Sequence, residues 1–272
     1  MATLTDLHKR LRGIQTICQL AGAMRTVSSA KLARLNAVSY AFSPYARGCR
    51  ELMLASGAAV APPSGGEERT LAVLLSGNRG LCGSYHNELF AFFHALPGLE
   101  NADFITCGKM AAAHLSERGI PVLEDFPLSD VPEYAEAEAL ADRILTMVGA
   151  GEATKVLFIY SEAVNAMTQV PRCLELLPGG EAGEAQELLW QPDLATAREG
   201  LAAFCLRAQV YSLLLSSAMG VQGATLSSMR SAYDNGKKSA AELETAINRM
   251  RQTHVTASVI ETSSGLRPRE ER

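Results

Sequence analysis

The sequence predicts an α/β domain with two long terminal helices that pair as an antiparallel two-helix coiled coil. Three observations carry this. None of the eleven prolines lies before Pro44, and none lies between Pro192 and Pro268. Proline costs about 3 kcal/mol inside a helix, because it lacks the amide donor and its ring clashes with the preceding turn. Both ends repeat apolar residues at alternating steps of three and four, and the middle alternates short apolar runs with helical patterns.

In the first segment, Leu4, Leu7, Leu11, Ile14, Cys18 and Ala21 are spaced 3, 4, 3, 4, 3. A mean repeat of 3.5 keeps one stripe facing a partner helix. Met24 and Val27 follow at steps of three, which would overwind the seam locally, and Leu35, Val38 and Phe42 carry it toward Pro44. Gly13 and Gly22 weaken the helix by about 1 kcal/mol each relative to Ala. With Ala21, Ala23, Ser28, Ser29 and Ala30 they also permit close backbone approach. Residues 1–58 are therefore read as one helix.

The central region, 69–192, begins with a buried strand over Leu71–Leu75, a glycine-rich turn over Ser76–Gly83, and a helical pattern through Leu89, Phe92 and Phe93. Phe104–Thr106 reads as a second strand and Met110–Arg118 as a helix. Ile120–Leu123 reads as a third strand, Glu133–Val148 as a helix, and Val156–Tyr160 as a fourth strand. Val170–Leu177 suits a sheet edge, because Pro171 cannot donate to a ladder. Strands alternating with helices give a mostly parallel sheet. Ala61–Glu68 and Pro178–Glu187 read as exposed loops, and Trp190, before Pro192, as a packing residue at the domain edge.

Residues 193–266 form the second long helix. Leu201, Phe204, Ala208, Tyr211, Leu215 and Ala218 line one stripe, and Ala240, Leu243, Ile247, Met250, His254 and Ala257 repeat the 3, 4, 3, 4, 3 spacing. Asp234-Asn235-Gly236 is a turn signal by itself, but its flanks are helical, so the helix is expected to continue through it. Neither stripe can bury itself alone, and helices entering and leaving one domain most simply pair antiparallel. Residues 267–272 are a charged tail.

At 272 residues the chain has room for one large or two ordinary domains, and 47% apolar with 20% charged residues is a globular composition. Apolar runs fall far short of the ~20 residues that cross a bilayer, so no direct membrane span is expected, and the polar N-terminus lacks a secretory h-region. Cys18, Cys49, Cys82, Cys107, Cys173 and Cys205 form no CxxC pair, which suits reduced thiols in a cytosolic compartment. Charge is segregated: +7 over residues 1–50, −13 over 51–224 and +2 over 225–272. A basic helix beside an acidic body suits nucleic acid, an anionic membrane surface or an acidic protein partner.

Catalytic patterns are missing. Gly77, Gly80 and Gly83 do not match GxGxxG, and no GxxxxGK[ST] occurs, so a structural turn is the better reading than a nucleotide site. No GxSxG surrounds Ser76, and His86 near Cys82 lacks an orienting third group. His8, His86, His94, His114 and His254 have no metal-ligand spacing. Glu67-Glu68 and Glu124-Asp125 read as solvated loop pairs, and Lys237-Lys238 as a wet helix face. Without aromatic residues among the N-terminal bases, single-stranded nucleic acid is disfavoured. No active site, cofactor or metal is expected.

Residues 7–32 resemble the opening helix of the γ subunits of F-type ATP synthases, whose pattern ends T-x-x-I-T-x-A-M-(K/E)-M-V-(A/S)-(A/S)-(A/S)-K-L. Ser76–Gly83 resembles that family's S-D-R-G-L-C-G, with Gly77-Asn78 in place of Asp. Met229–Asn235 resembles M-(K/R)-x-A-T-x-N, Asn248–Thr256 resembles N-(R/K)-x-R-Q-A-x-I-T, and Ser264-Gly265 the terminal S-G. The matches keep the family's order over nearly the whole chain. The resemblance implies a central rotor stalk: the helices as a coiled coil inside an α/β hexamer, and a Rossmann-like body on the membrane c-subunit ring beside the ε subunit. It implies a non-catalytic subunit that couples flow of H+ or Na+ to ATP synthesis or hydrolysis, held at the cytoplasmic face of a bacterial plasma membrane. By position, Met24, Arg25, Arg251 and Gln252 match residues that touch the catalytic subunits. The chain departs from the pattern at Val221–Met229, where E-x-A-x-R-M lacks its acid and Arg, and at Thr262-Ser263, where an apolar pair is usual.

Two other classes fit the residues alone. An α/β enzyme with a helical oligomerisation arm would be stabilised by its small ligand. A non-rotary coiled-coil adaptor binding nucleic acid through residues 8–34 would bind with steep salt dependence.

Overall fold

A computed structural model of the chain describes residues 3–56, 68–165, 168–177 and 193–265. Trp190, the tail 267–272, and the expected loops other than Glu68 lie outside the described residues. The elements are α1 (Leu4–Ser56), β1 (Thr70–Leu75), α2 (Tyr85–Ala95), β2 (Asp103–Cys107) and α3 (Lys109–Glu117), then β3 (Glu124–Phe126), α4 (Tyr134–Gly149), β4 (Lys155–Ala163), β5 (Gln169–Leu177) and α5 (Leu194–Gly265). By internal contacts the chain divides into Val27–Ser228 and a unit of Met1–Thr26 with Met229–Arg272. This differs from the boundaries read from sequence, because parts of both long helices pack with the sheet.

In the unit Val27–Ser228, five strands lie in the order β3-β2-β1-β4-β5. The first four pair in parallel, and β5 runs antiparallel along β4 at the edge. Pro171 sits on that edge strand, opposite Ser161. Strand alternation divides the core between the two faces of the sheet. Leu71, Val73 and Leu75 pack with Ile105 and Phe158 against Leu140 and Ile144 of α4 and Val210 and Leu214 of α5. Ala72 and Leu74 pack with Phe104 and Ile159 against Leu89 and Phe93 of α2, Leu115 of α3, and Val221 of α5. Residues 202–225 of α5 are buried almost all round, as in a core helix rather than a single stripe. Phe204, expected in the stripe, is instead 42% exposed and packs edge-on against Tyr45.

α1 passes through Pro44 and ends at Ser56. The proline removes the amide partner of the Tyr40 carbonyl. Pro44 is exposed and Tyr40 is 85% exposed, so water reaches that turn. At the other end Thr3 and Asp6 cap α1 reciprocally: the Asp6 amide donates to Thr3 Oγ1 at 3.2 Å, and the Thr3 amide to Asp6 Oδ2 at 3.1 Å. Asp193 caps α5 by accepting from the Thr196 amide at 3.0 Å.

The third strand is Glu124–Phe126, not Ile120–Leu123. Gly119, at φ +67°, closes α3, and the Ile120 amide donates to Leu115 O, which commits these residues to the helix terminus. Pro121 then has no amide to give. Glu124 and Asp125 are accordingly not loop residues: Arg143 pairs with Glu124 at 2.9 Å, and Thr106 donates to Asp125 at 2.8 Å.

In the other unit α1 and α5 run antiparallel. A Cβ on Gly22 would stand 3.4 Å from the Tyr233 ring, and Gly236 faces Cys18 and Ile14. Residue numbers thus fall along α1 as they rise along α5. The helix continues through Asp234-Asn235-Gly236, as its flanks predict.

Candidate functional site

Two places could carry function: the glycine turn at the carboxyl end of β1, and the helix pair. In an open α/β sheet, ligands bind outside the carboxyl ends of the strands where the strand order reverses. Here that point lies between β1 and β4, and the turn Ser76–Gly83 sits over it.

Ser76, the Gly77 carbonyl and the Asn78 side chain tie the turn to the neighbouring elements of the fold. The Ser76 amide donates to Cys107 O at 2.8 Å, and its Oγ accepts from the Ala111 amide at 2.8 Å and donates to Gly108 O at 3.1 Å. Gly108, at φ +96°, packs so closely on the Ser76 carbonyl that a side chain would collide with it. Asn78 donates to Leu128 O at 2.6 Å, and the Met110 amide donates to Gly77 O at 3.1 Å.

α5 also fills the crevice. A Cβ on Gly77 would meet Val221 at 2.9 Å, and one on Gly220 would meet Ser161 O at 3.1 Å and the Tyr85 ring at 3.2 Å. Gly83 needs its φ of +63°, whereas Gly80 has open space around it.

Nor is there an activated nucleophile at the turn. Burial pushes the Cys82 thiol up, which keeps it protonated. Burial also pulls His86 below its ordinary value, and its Nε2 donates to Arg79 O at 3.1 Å while Nδ1 has no partner. Among the described residues, no three His, Cys, Asp or Glu converge to hold a metal.

On the helix pair, Leu7, Cys18, Ala21 and Ile247 are buried, and Leu4, Leu11, Ile14, Leu243 and Met250 are half-buried. Of Met24 and Val27, expected as the next seam positions, Met24 is half-buried and Val27 is not buried. Val27 is 50% exposed, and past the half-buried Met24 and Arg25 burial resumes at Ser28, Leu32 and Leu35. Arg25 fits because its guanidinium lies 5.0 Å over the Tyr233 ring, with Lys237 4.8 Å from the same ring. Lys237 thus lies against an aromatic ring, and its hydrogen bond to the Tyr233 side chain holds its pKa above the ordinary lysine value.

His254 and Ala257, also expected in the seam, are exposed, as is every residue from Arg251 to Ile260. With Cys18 opposite residues 233–236, Leu4 falls opposite about residue 247–250 at equal helical rise. Arg251 onward therefore runs past the end of α1. Among the four positions singled out from sequence, Met24 and Arg25 are half-buried in the pair, and Arg251 and Gln252 are exposed on this unpaired length. The sequence pattern gave no sign of the crevice-filling by Val221, because only the fold brings α5 to the end of β1.

A sequence model of the ATP synthase family matches residues 3–267. The ATP synthase gamma chain of Desulfitobacterium hafniense is 28% identical over 276 residues, covering 97% of this chain and 98% of its own. That of Symbiobacterium thermophilum is 29% identical over 275 residues, covering 95% and 96%. Among solved structures, a chain of the Euglena gracilis mitochondrial ATP synthase (an OSCP/F1/c-ring assembly) superposes with a TM-score of 0.74 at 15% identity, over 97% of this chain and 93% of that one. A chain of the Tetrahymena thermophila mitochondrial ATP synthase central stalk and c-ring gives 0.62 at 22% identity, over 78% and 99%.

Proposed function

The chain belongs to the ATP synthase gamma-chain family, and from that premise we propose that it is the central-stalk rotor of an ATP synthase, coupling ion flow through a membrane ring to ATP synthesis or hydrolysis. The observation that carries this reading is the family match along residues 3–267, which takes in both long helices and the sheet together.

The geometry suits a part that transmits force and makes no covalent bond. A pair of antiparallel helices, one outrunning the other, has no rotational symmetry. Each orientation therefore presents different side chains to its surroundings. Rotation can drive conformational change in a partner only if its contacts differ in free energy between the partner's states. The unpaired stretch of α5 supplies such a surface, with Arg251 and Gln252 beside exposed Val255, Val259 and Ile260. An Arg fork can hold a partner carboxylate bidentately. Arg251, Gln252, Met24 and Arg25 are assigned here as contacts to the catalytic subunits.

The gamma-chain relatives belong to a membrane-associated complex. For this chain the partners assigned are the α and β subunits around the helix pair, and the ε subunit and c-subunit ring at the α/β domain, at the cytoplasmic face of the membrane. The basic N-terminal fifty residues then face acidic protein surface rather than nucleic acid.

The test is reconstitution of the chain with α and β subunits. Arg251→Ala combined with Gln252→Ala should lower ATP turnover while the helical circular dichroism of the chain is unchanged. Full turnover in the double variant contradicts the contact assignment, and failure of the native chain to assemble with these subunits contradicts the rotor reading.

A further inference from the structure

We propose that His94 and His114 form a two-histidine site for a late first-row divalent metal ion, bridging the C-terminal turns of α2 and α3. Their Nε2 atoms lie 2.9 Å apart. A metal–imidazole bond is about 2.0–2.1 Å, so two cis nitrogens stand about 2.9 Å apart at a right angle and about 3.3 Å apart in a tetrahedron. The observed nitrogen separation fits square-planar or octahedral coordination, the preference of Cu2+ and Ni2+, once each ring tips so that its lone pair meets the ion instead of the other nitrogen. The rings are also held in place. His114 stacks on buried Phe90 with centroids 3.8 Å apart and planes 16° apart, and His94 sits edge-on to buried Phe93 at 5.0 Å. His94 is exposed and His114 half-buried, so an ion has access from solvent. Among the described residues no further His, Cys, Asp or Glu completes the set, which leaves the remaining positions to water.

Arg118 decides the resting state. Its guanidinium contacts His114 Nδ1 at 3.2 Å and can only donate, so that nitrogen accepts. The proton of a neutral His114 ring is then on Nε2 and is donated to His94. Metal binding must move this proton to Nδ1, facing Arg118, so Arg118 works against the ion. Replacing it with a side chain whose carbonyl can accept from Nδ1–H supplies the outer-shell partner that metal-bound histidines normally have.

The experiment is titration of the full chain with Ni2+ and with Cu2+ by calorimetry, with Mg2+ as the oxygen-preferring control. One Ni2+ or Cu2+ per chain is expected, weakened about tenfold or more by His94→Asn and by His114→Asn, and unchanged by His254→Asn. Arg118→Gln should tighten binding severalfold. The His94→Asn and His114→Asn chains should melt at the native temperature without metal and gain little when metal is added, whereas the native, His254→Asn and Arg118→Gln chains should gain stability. No saturable Ni2+ or Cu2+ binding, binding that survives both histidine variants, or binding that Arg118→Gln leaves unchanged or weakens, would overturn the proposal.

Discussion

Gly236→Ala tests the antiparallel register at one atom. In an exposed helix interior, Gly to Ala gains about 1 kcal/mol from backbone entropy and propensity. Gly13 lies in the same unit with nothing within 4 Å of its missing Cβ, so Gly13→Ala should realise that gain. Gly236 faces Cys18, whose sulfur occupies the space a Cβ would need. Cys18 is buried, and its thiol points at the Tyr233 carbonyl, 4.0 Å away. Forcing a methyl into a packed contact costs about 1–3 kcal/mol. Gly236→Ala should therefore be neutral or destabilising by up to about 2 kcal/mol, against a gain of about 1 kcal/mol for Gly13→Ala. In the double variant Cys18→Ala/Gly236→Ala the sulfur is gone, and the second substitution should again stabilise by about 1 kcal/mol relative to Cys18→Ala alone. Urea titration followed by helical circular dichroism measures all four chains. Equal gains from Gly13→Ala and Gly236→Ala would refute the register.

Three further outcomes follow from the same structure. Gly108→Ala combines a left-handed φ with a collision against the Ser76 carbonyl, and should cost at least about 2 kcal/mol in denaturant unfolding. Ile247→Ala removes a buried side chain and should cost about 2 kcal/mol or more, whereas Val255→Ala, on the exposed length of α5, should stay within about 0.5 kcal/mol. His86 is held neutral by burial, so its folded pKa lies below its unfolded value near 6.5. The unfolded chain then takes up the proton first as pH falls, and stability present above pH 6.5 is lost below it, by at most about 1.4 kcal/mol per pH unit, until the folded pKa is passed. His86→Gln should flatten that part of the pH profile in thermal melts; an unaltered slope would show that His86 does not set it.

Much of the fold was legible because its signals are local. The proline-free ends and the 3, 4 spacing located both long helices, and short apolar runs located β1, β2 and β4. The third strand was misplaced because Ile120 and Val122 are apolar enough for a strand, yet Gly119 and the Ile120 amide are needed to close α3. The seam was misphased at Val27 for a related reason. Hydrophobicity favours Val27, but Ser28 is buried in its place, and Arg25 enters the pair beside Met24 by stacking on Tyr233, a partner 208 positions later in the chain. At the glycine turn, spacing alone excluded known phosphate loops, but not the reason: α5 closes the crevice with Val221. The His94–His114 contact joins residues twenty positions apart on two helices, with no ligand spacing to betray it.

The central claim is that this chain turns within its assembly. The most direct measurement attaches a light-scattering bead to an exposed residue of the α/β domain in a surface-fixed complex with α and β subunits, and follows its angle while ATP is hydrolysed. Continuous one-directional rotation, stopping when ATP is withdrawn, is the predicted result. Sustained hydrolysis with the bead stationary would contradict the account.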